Sequence, residues 1–261
     1  MSLLNDQRVC ALIPAAGQGT RLGLGIPKII LEIADGVTVW HLLHRRLRPW
    51  VERIHVVLSP AGLEPFRRVA GSGPEDPAPE VSVSVQERPT GMGDAVFGAA
   101  PYWEGYDTVL VVWGDQAGLS EATVREVIRT HRQGTTPRIT LPLVAMAEPY
   151  VEYEYDAASA SLLRVRQSRE GDECRPGGLS DVGVFCLSTD GLMAAWQEYL
   201  TKAAPGAATG EVNFLPFLPY LSRERGWPVT VVPVTDQDEA RGINTAEDLE
   251  FARQAYRRCA N

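Results

Sequence analysis

A glycine-rich segment near the start of the chain carries residue types that bind phosphate. Gly17 and Gly19 permit a sharp turn that brings backbone N–H groups against phosphate oxygens, and Thr20 adds a hydroxyl donor. Arg21 and Lys28 follow, and their positive charges suit oxygens that carry negative charge. The segment therefore predicts a binding site for a triphosphate.

The spacing of this segment differs from that of two common phosphate-binding loops. It lacks the Gly-x-x-x-x-Gly-Lys-[Ser/Thr] spacing of a Walker loop and the third glycine of the Gly-x-Gly-x-x-Gly dinucleotide motif. The apolar run over residues 9–13 predicts a buried parallel strand immediately before it. We expect Ala15 and Ala16, where this strand turns into the loop, to line the nucleotide site.

Residues 17–21, followed by Pro27 and Lys28, resemble the Gly-x-Gly-Thr-Arg…Pro-Lys signature of the sugar nucleotidyltransferases. The short spacing between Arg21 and Pro27 is similar to that of N-acetylglucosamine-1-phosphate uridylyltransferases. The resemblance implies a reaction that joins a nucleoside triphosphate to a sugar 1-phosphate and releases pyrophosphate. It assigns Arg21 to the β- and γ-phosphates and Lys28 to the attacking and α-phosphates. A glycine turn with incidental surface cations is the alternative interpretation.

A second set of candidate residues follows the predicted strand over residues 81–85. The amide of Gln86 can donate and accept hydrogen bonds in one plane, as recognition of a pyrimidine edge requires. In the uridylyltransferases a matching Gln and a nearby glycine turn bind the base, which implies nucleotide-binding roles for Gln86, Gly91 and Met92. An exposed Gln beside a glycine turn would explain this segment taken alone. Because an amide can flip, Gln86 does not distinguish uracil from cytosine.

Two oxygen ligands for a metal are predicted far apart in the sequence. The most strand-like apolar run ends at Asp115, and Mg²⁺ commonly takes one or two protein oxygens together with phosphates and waters. Residues 239–249 resemble the family's closing motif, and the resemblance implies that Asp115 and Asn244 hold Mg²⁺. Asp115 could instead cap the segment after it. Thr245 could cap the last helix with Asp248 as its partner, and this role is compatible with a metal site.

The resemblance is weaker where the acceptor would bind. The uridylyltransferases carry a Glu, an Asn and a His at positions that here hold Gln167, Asp181 and Asp94. Polar groups that hydrogen-bond substrate hydroxyls discriminate strongly, so these three departures leave the acceptor open. Glu211 and Asn213 lie in a segment that resembles the family's acceptor loop and are expected to contact the acceptor. The alternative for this segment is the start of a helix.

Alternating strands and helices must position these residues. Strands are predicted over residues 9–13, 53–59, 81–85, 108–113 and 139–145, and helices over residues 39–50, 63–70, 96–100 and 121–131. This alternation indicates a Rossmann-like open, mainly parallel sheet flanked by helices, with ligands at the carboxyl edge of the strands. All of the strongest candidate motifs fall at that edge.

The second half of the chain is less regular. Strands are predicted over residues 161–167, 181–187 and 227–234, and a closing helix over residues 245–258. We expect one nucleotidyltransferase domain over residues 1–261 with the nucleotide-diphospho-sugar transferase fold that the resemblance implies. Its parts would be a nucleotide-binding part to about residue 145, a small β-rich acceptor-binding extension over about 146–235, and a closing metal-site segment over 236–261.

Composition limits the partners and the compartment. The net charge of −8 and the pI near 5.1 argue against nucleic acid as a main partner, whereas a few cations and a metal can still bind phosphate locally. The cysteines lack C-x-x-C spacing, and the chain shows neither a signal peptide nor an apolar run of about 20 residues. We therefore expect a soluble cytoplasmic protein without a membrane partner.

A homo-oligomer is left open by the sequence. Trp40, Trp50 and residues 196–199 could line an interface between copies, although packing in the core is the favoured explanation. The expected partners are a nucleoside triphosphate, with UTP or CTP favoured, and a phosphorylated small molecule.

Two other functions are compatible with the same residues. One is a cytidylyltransferase that activates a phosphorylated alcohol, a cyclitol phosphate or a phosphonate. The other is a catalytically silent homologue that binds a nucleotide as a regulatory module. Arg21, Lys28, Asp115 and Asn244 are all present, which argues against the silent module.

Overall fold

A ten-stranded sheet dominates the computed structural model, which describes residues 7–17, 23, 25–71, 80–88, 90–134 and 137–260. The strands of the sheet are β1 (Val9–Ala15), β4 (Arg53–Leu58), β5 (Glu80–Val85), β6 (Thr108–Val112), β7 (Ile139–Ala145), β8 (Val151–Asp156), β9 (Ser161–Gln167), β10 (Leu179–Asp181), β11 (Val184–Ser188) and β12 (Val229–Pro233). A separate two-stranded sheet pairs β2 (Glu32–Ala34) with β3 (Val37–Thr38).

Helices cover both faces of the large sheet. They are α1 (Val39–Leu47), α2 (Pro60–Ala70), α3 (Met92–Gly98), α4 (Ala100–Trp103), α5 (Glu121–His131), α6 (Leu192–Leu200), α7 (Phe217–Arg223) and α8 (Ala246–Ala260). No helix in the described ranges is both long enough and apolar enough to cross a membrane.

The strand order is β5-β4-β1-β6-β11-β7-β10-β8-β9, and β12 also pairs with β7. The pairs β5–β4, β4–β1, β1–β6 and β7–β12 are parallel. The strand β11 runs antiparallel between β6 and β7, so β6 and β7 still point the same way. The predicted mainly parallel sheet is confirmed, and β1, β5 and β6 end at one common edge.

Alternation along β1 shows how the layers pack. Val9, Ala11 and Ile13 join a core with α1, α2, α5 and α8, whereas Cys10 and Leu12 join a second core with α3, α4, α6 and α7. Successive residues of a strand point to opposite faces, so a fully apolar strand must be covered on both sides. The centre of the sheet is therefore buried between two helical layers.

The prediction of one continuous strand over residues 181–187 is wrong. Two strands, β10 and β11, replace it, and they are separated by residues 182–183. Gly183 has φ +74°, a left-handed conformation that ends an extended strand and that glycine adopts without a steric penalty. The chain turns there into a different position of the sheet.

Several helix boundaries also differ from the predictions. The first helix ends at Leu47 rather than at residue 50, and α2 starts at Pro60, a residue suited to the first turn of a helix. The single helix predicted over residues 96–100 is instead α3 and α4, with Pro101 in the first turn of α4. The strand β12 is shorter than the predicted range 227–234.

The aromatic residues considered for an interface differ in how deeply they are buried and in which core they pack against. Trp40 and Trp196 are buried in the two cores, while Trp50 is partly buried against the first core. Tyr199 is partly buried and packs against the second core. Core packing thus accounts for these side chains.

Candidate active site

Lys28 lies at the carboxyl edge of the sheet, on a one-turn 3-10 helix over Lys28–Ile30. Its Nζ donates to Asp115 Oδ2 and to Asn244 Oδ1, and both distances are 2.8 Å. The side chains of Lys28 and Asp115 are 23% and 19% exposed, so this ion pair is partly accessible to solvent but largely sheltered from it. The structure therefore brings three of the predicted site residues to one point.

Backbone contacts hold the two oxygen-bearing residues together. Asp115 follows β6, and its carbonyl accepts hydrogen bonds from the backbone N–H groups of Ala117 and Ile243. Gly242 lies so close that a Cβ there would be 3.2 Å from Asp115 Oδ1. The segment that carries Asn244 is thus fixed directly against the end of β6.

Asp248 fixes the orientation of Asn244 from the other side. Its Oδ2 accepts from the backbone N–H groups of Asn244 and Thr245, and Thr245 Oγ1 accepts from the Asp248 N–H. This reciprocal pair is the predicted cap of α8. Burial alone would raise the pKa of Asp248, but hydrogen bonds from Arg241, Asn244 and Thr245 hold that pKa below its usual value. Asn244 therefore sits immediately before a capped helix start.

The predicted phosphate loop begins beside this group. Ala15 and Ala16 are buried at the end of β1, and Gly17 is exposed. A Cβ at Gly114 would be 3.0 Å from the Ala15 side chain, so the end of β1 closely approaches the turn before Asp115. The other predicted members of the loop, Gly19, Thr20 and Arg21, lie outside the described residues.

The predicted base-binding segment forms a tight turn after β5. Gln86 Nε2 donates to Gly91 O at 3.1 Å and lies 3.3 Å from Thr90 Oγ1. Gly91 has φ +118°, and Met92 starts α3. A Cβ at Gly91 would be 3.0 Å from Glu211 Cβ, which places the turn against the segment predicted to bind the acceptor.

Glu211 and Asn213 precede α7, which starts at Phe217, so the alternative that they start a helix is wrong. The Asn213 side chain donates to Glu170 Oε1 at 3.0 Å. Glu170 also accepts from the Ala208 N–H and from Thr209 Oγ1. This carboxylate therefore ties the segment to the short helix after β9.

Asp181 is buried, and protein donors engage both of its oxygens. The Gly183 N–H donates to Oδ1 at 2.7 Å, and Tyr153 OH lies 3.0 Å from Oδ2. Burial raises the pKa of Asp181, and the negative charge of Asp115 acts in the same direction although hydrogen bonds partly oppose the shift. The structure thus places Asp181 in the wall next to Asp115, with its hydrogen-bonding capacity directed to the protein.

The two other predicted acceptor residues lie apart from this group. Asp94 is exposed in the first turn of α3, where a negative charge is favoured by the helix dipole. Gln167 ends β9, the edge strand, and four strands separate β9 from β6. Neither is joined to Lys28, Asp115 or Asn244 by a described hydrogen bond.

Two polar residues near the site were not singled out from the sequence. Gln116 directly follows Asp115 and is 4% exposed, and its Oε1 has no hydrogen-bond partner within the described ranges. Its side chain covers Gly183, where a Cβ would be 2.4 Å from Gln116 Cγ. Glu170 is the second such residue. The position beside Asp115 was a usable signal for Gln116, whereas the contacts of Glu170 are set by tertiary structure.

A cavity of about 650 Å³ lies at the opposite edge of the sheet. Its lining includes Thr108, the first residue of β6, together with Arg138, Ser188 and His131. The candidate site is therefore separated from this cavity by the length of the central strands.

The donor set at Asp115 and Asn244 is suitable for a divalent metal. A carboxylate oxygen and an amide oxygen both approach one cation, the Lys28 ammonium, at 2.8 Å. Mg²⁺ prefers oxygen ligands and binds through one or two protein groups when phosphates supply the rest. These residues consequently fit the metal that the resemblance implies.

An open α/β sheet that brings a lysine, a carboxylate oxygen and an amide oxygen together at its carboxyl edge is typical of α/β proteins that bind nucleotides. Comparison of folds agrees with this class. A solved glucose-1-phosphate thymidylyltransferase from Bacillus anthracis, in complex with sucrose, matches over 95% of both chains with a TM-score of 0.76 and 16% identity. The nucleotide-diphospho-sugar transferase fold is thereby confirmed.

The profile of the MobA-like NTP transferase domain matches residues 11–172, and the chain belongs to this family of nucleotidyltransferases. The chain is also 28% identical over 258 residues to the bifunctional protein GlmU of Acidithiobacillus ferrooxidans and 29% identical to that of Paracoccus denitrificans. These alignments cover 95% and 97% of the chain but 51% and 54% of the relatives. The chain thus spans about half the length of the curated relatives it matches, and the resemblance drawn from residues 17–28 is confirmed.

Proposed function

We propose that the chain transfers a nucleotidyl group from a nucleoside triphosphate, UTP or CTP, to a sugar 1-phosphate and releases pyrophosphate. The observation that carries this proposal is the meeting of Lys28, Asp115 and Asn244 beside the end of β1. A lysine and two metal-type oxygens next to a phosphate loop are the groups that nucleotidyl transfer requires. The name of the solved structure with the same fold, a glucose-1-phosphate thymidylyltransferase, supports a sugar phosphate as the acceptor.

In the proposed reaction, an oxygen of the acceptor phosphate attacks the α-phosphorus in line. A bond forms between that oxygen and the α-phosphorus, and the bond to the pyrophosphate oxygen breaks. No general base is needed, because the acceptor phosphate is already ionised. Catalysis then depends on positioning and on stabilising negative charge rather than on covalent help from the protein.

Each candidate residue has a role in this scheme. Ala15, Ala16, Gly17, Gly19 and Thr20 cradle the phosphates, and Arg21 stabilises the departing pyrophosphate. Lys28 stabilises the attacking and α-phosphates. Gln86, Gly91 and Met92 bind the base, while Asp94, Gln167, Asp181, Glu211 and Asn213 are the candidates for the acceptor.

Asp115 and Asn244 would hold Mg²⁺, which neutralises charge on the phosphates when bound. In this arrangement Asp248 keeps the Asn244 backbone in place, and Gly242 permits the close approach to Asp115. Asn244 Nδ2 lies 3.3 Å from Gly242 O, which directs the amide oxygen toward the cation site.

The proposal is tested by pyrophosphate release from each of the four ribonucleoside triphosphates and from thymidine triphosphate. Each would be paired with sugar 1-phosphates, cyclitol phosphates, phosphorylated alcohols and phosphonates. Release that requires both a triphosphate and a sugar 1-phosphate supports the proposal. No release with any pair would favour the silent nucleotide-binding module.

The Lys28→Ala variant is expected to lose at least about 10²-fold in turnover, because a cation that stabilises transition-state charge is removed. Its circular dichroism and thermal unfolding should stay close to those of the unaltered protein, since the Lys28 side chain is partly exposed. Lys202→Ala, at a lysine on α6's C-terminal side, is the control. Near-normal turnover of Lys28→Ala would contradict the role assigned to this lysine.

A cytidylyltransferase for another phosphorylated acceptor is the second candidate. It is compatible with Asp181 and Asp94, which stand where the uridylyltransferases carry an Asn and a His. These positions differ from those of the uridylyltransferases at the acceptor side. The acceptor panel distinguishes the two candidates directly.

A further inference from the structure

The Lys28 ammonium occupies the point on which both candidate metal ligands converge. Its Nζ is 2.8 Å from Asp115 Oδ2 and 2.8 Å from Asn244 Oδ1. The lysine is thus a cation bound by an anionic carboxylate and a neutral amide oxygen, which is the charge pattern of a metal site. Two of the three N–H donors of the ammonium are therefore engaged by these oxygens.

The electrostatic balance of this group makes the two cations competitors. Asp115 carries one negative charge, and Lys28 neutralises it through a direct, partly sheltered contact. A divalent cation that approaches the same oxygens must displace the ammonium or share the carboxylate with it, and both cost free energy. Removing the positive charge of Lys28 therefore leaves the site more attractive to a metal.

We propose that Lys28 and a divalent cation are alternative occupants of the oxygens of Asp115 and Asn244. Metal entry releases Lys28, and the released ammonium becomes available to the phosphates of the nucleotide. The metal and the lysine then act together only when a triphosphate is present to receive the lysine. This destination of Lys28 rests on the proposed function, whereas the competition for the oxygens rests on the observed contacts alone.

The competition predicts that loss of a residue of the site raises the affinity for the metal, whereas loss of a metal-binding residue lowers it. A Lys28→Met variant keeps an unbranched side chain that is one atom shorter and removes its charge, so it should lose turnover and yet bind the metal more tightly. If Lys28 instead served to preorganise the two oxygens for the metal, the same substitution would weaken metal binding. The sign of the change distinguishes the two roles.

The test is titration of the 261-residue chain with Mn²⁺ alone, followed by isothermal calorimetry and by the electron paramagnetic resonance signal of free Mn²⁺. Lys28→Met is expected to bind Mn²⁺ on the order of tenfold more tightly than the unaltered protein, which corresponds to one ion-pair contact in a partly sheltered site. Lys28→Arg keeps the charge and should remain much closer to the unaltered protein. Equal or weaker binding by Lys28→Met would overturn the proposal.

Two controls locate the effect. Lys202→Met removes the charge of a lysine that pairs with Glu198 on α6, and it should leave Mn²⁺ binding unchanged. Adding Asp115→Asn to Lys28→Met should abolish the gain, and a gain that persists would place the metal elsewhere and overturn the proposal. Tighter Mn²⁺ binding without pyrophosphate release from any substrate pair would support the competition and count against the proposed function. Pyrophosphate release by the unaltered protein, with no increase in the Mn²⁺ affinity of Lys28→Met, would support the proposed function and overturn the competition.

Discussion

At the scale of single residues, Gly183 shows how the wall of the site constrains amino-acid identity. It combines φ +74° with a side chain packed on its Cα, because Gln116 Cγ and Nε2 would lie 2.4 Å from a Cβ there. Its N–H also donates to Asp181, and its carbonyl accepts from the Trp113 N–H. Backbone conformation and packing thus both favour glycine at this position.

Gly183→Ala is therefore expected to destabilise the protein by about 2–4 kcal/mol, the sum of backbone strain and displacement of a buried side chain. Gly191→Ala is the matched control. Gly191 has φ +72°, but no neighbouring atom among the described residues lies within 4 Å of a Cβ built there, so only the strain of about 1 kcal/mol applies. Urea unfolding of both variants measures the difference. Equal losses of unfolding free energy in the two variants would show that the Gln116 side chain moves aside without destabilising the protein.

At the scale of elements, the start of α8 determines where Asn244 lies. The Asp248 carboxylate accepts from the backbone of Asn244 and Thr245 and from Arg241 Nε, so one side chain joins the helix end to the site. A capping interaction of this kind stabilises a helix start and also fixes the residue that precedes it.

Asp248→Ala should lower the free energy of unfolding by about 2 kcal/mol and raise the Mg²⁺ concentration needed for half-maximal pyrophosphate release. Glu247→Ala is the control, because Glu247 also pairs with Arg241 but is 87% exposed and should matter little. Unfolding in urea and the Mg²⁺ dependence of turnover are the two measurements. If the Mg²⁺ concentration for half-maximal release stayed unchanged in Asp248→Ala, the helix cap would not be what positions Asn244 for the metal.

At the scale of the whole molecule, two histidines are buried in the sheet-and-helix core. His55 on β4 lies 2.9 Å from both Ser82 Oγ and Ser84 Oγ, and His131 ends α5 beside Thr140. Burial lowers the pKa of His55 to about 4 and that of His131 to about 3. The positive charges of Arg53 and Arg138 contribute to these two shifts in the same direction as burial.

These shifts predict a loss of stability in mild acid. The pKa in the unfolded chain is about 6.5, so the unfolded state takes up protons first as the pH falls, and the contribution is complete only above that value. By about pH 5, each histidine should have lowered the free energy of unfolding by about 2 kcal/mol relative to about pH 7.5. Urea unfolding at the two pH values measures this loss.

A His55→Gln variant isolates one of the two histidines. Its amide can still bond both serines, and it carries no titrating group, so the difference between the two pH values should shrink by about 2 kcal/mol. The raised pKa of Asp181 acts with the opposite sign, but it is common to both proteins and cancels in the comparison. An unchanged pH dependence would show that His55 does not titrate on unfolding.

The sequence predicted the elements whose signals are local. The helix α5 and the strands β7 and β9 have the predicted bounds, because apolar spacing and helix ends are decided by neighbouring residues. The strand β8 was not predicted, although Glu and Tyr alternate along it with the spacing of a strand. Glu152 on this strand is 2% exposed because Arg166 and Arg175 bind its carboxylate. Only tertiary contacts make such a polar strand part of the interior.

The sequence by itself determined the family, the nucleotide-type loop and the residue types of the site, because each of these depends on short motifs at strand ends. Tertiary structure alone decided that Lys28 meets Asp115 and Asn244, which are 87 and 216 positions away along the chain. Parallel strands that end at one edge, and a closing segment that returns to β6, bring these groups together. The geometry of this site is consequently a property of the fold, since no local pattern fixes distances between such remote residues.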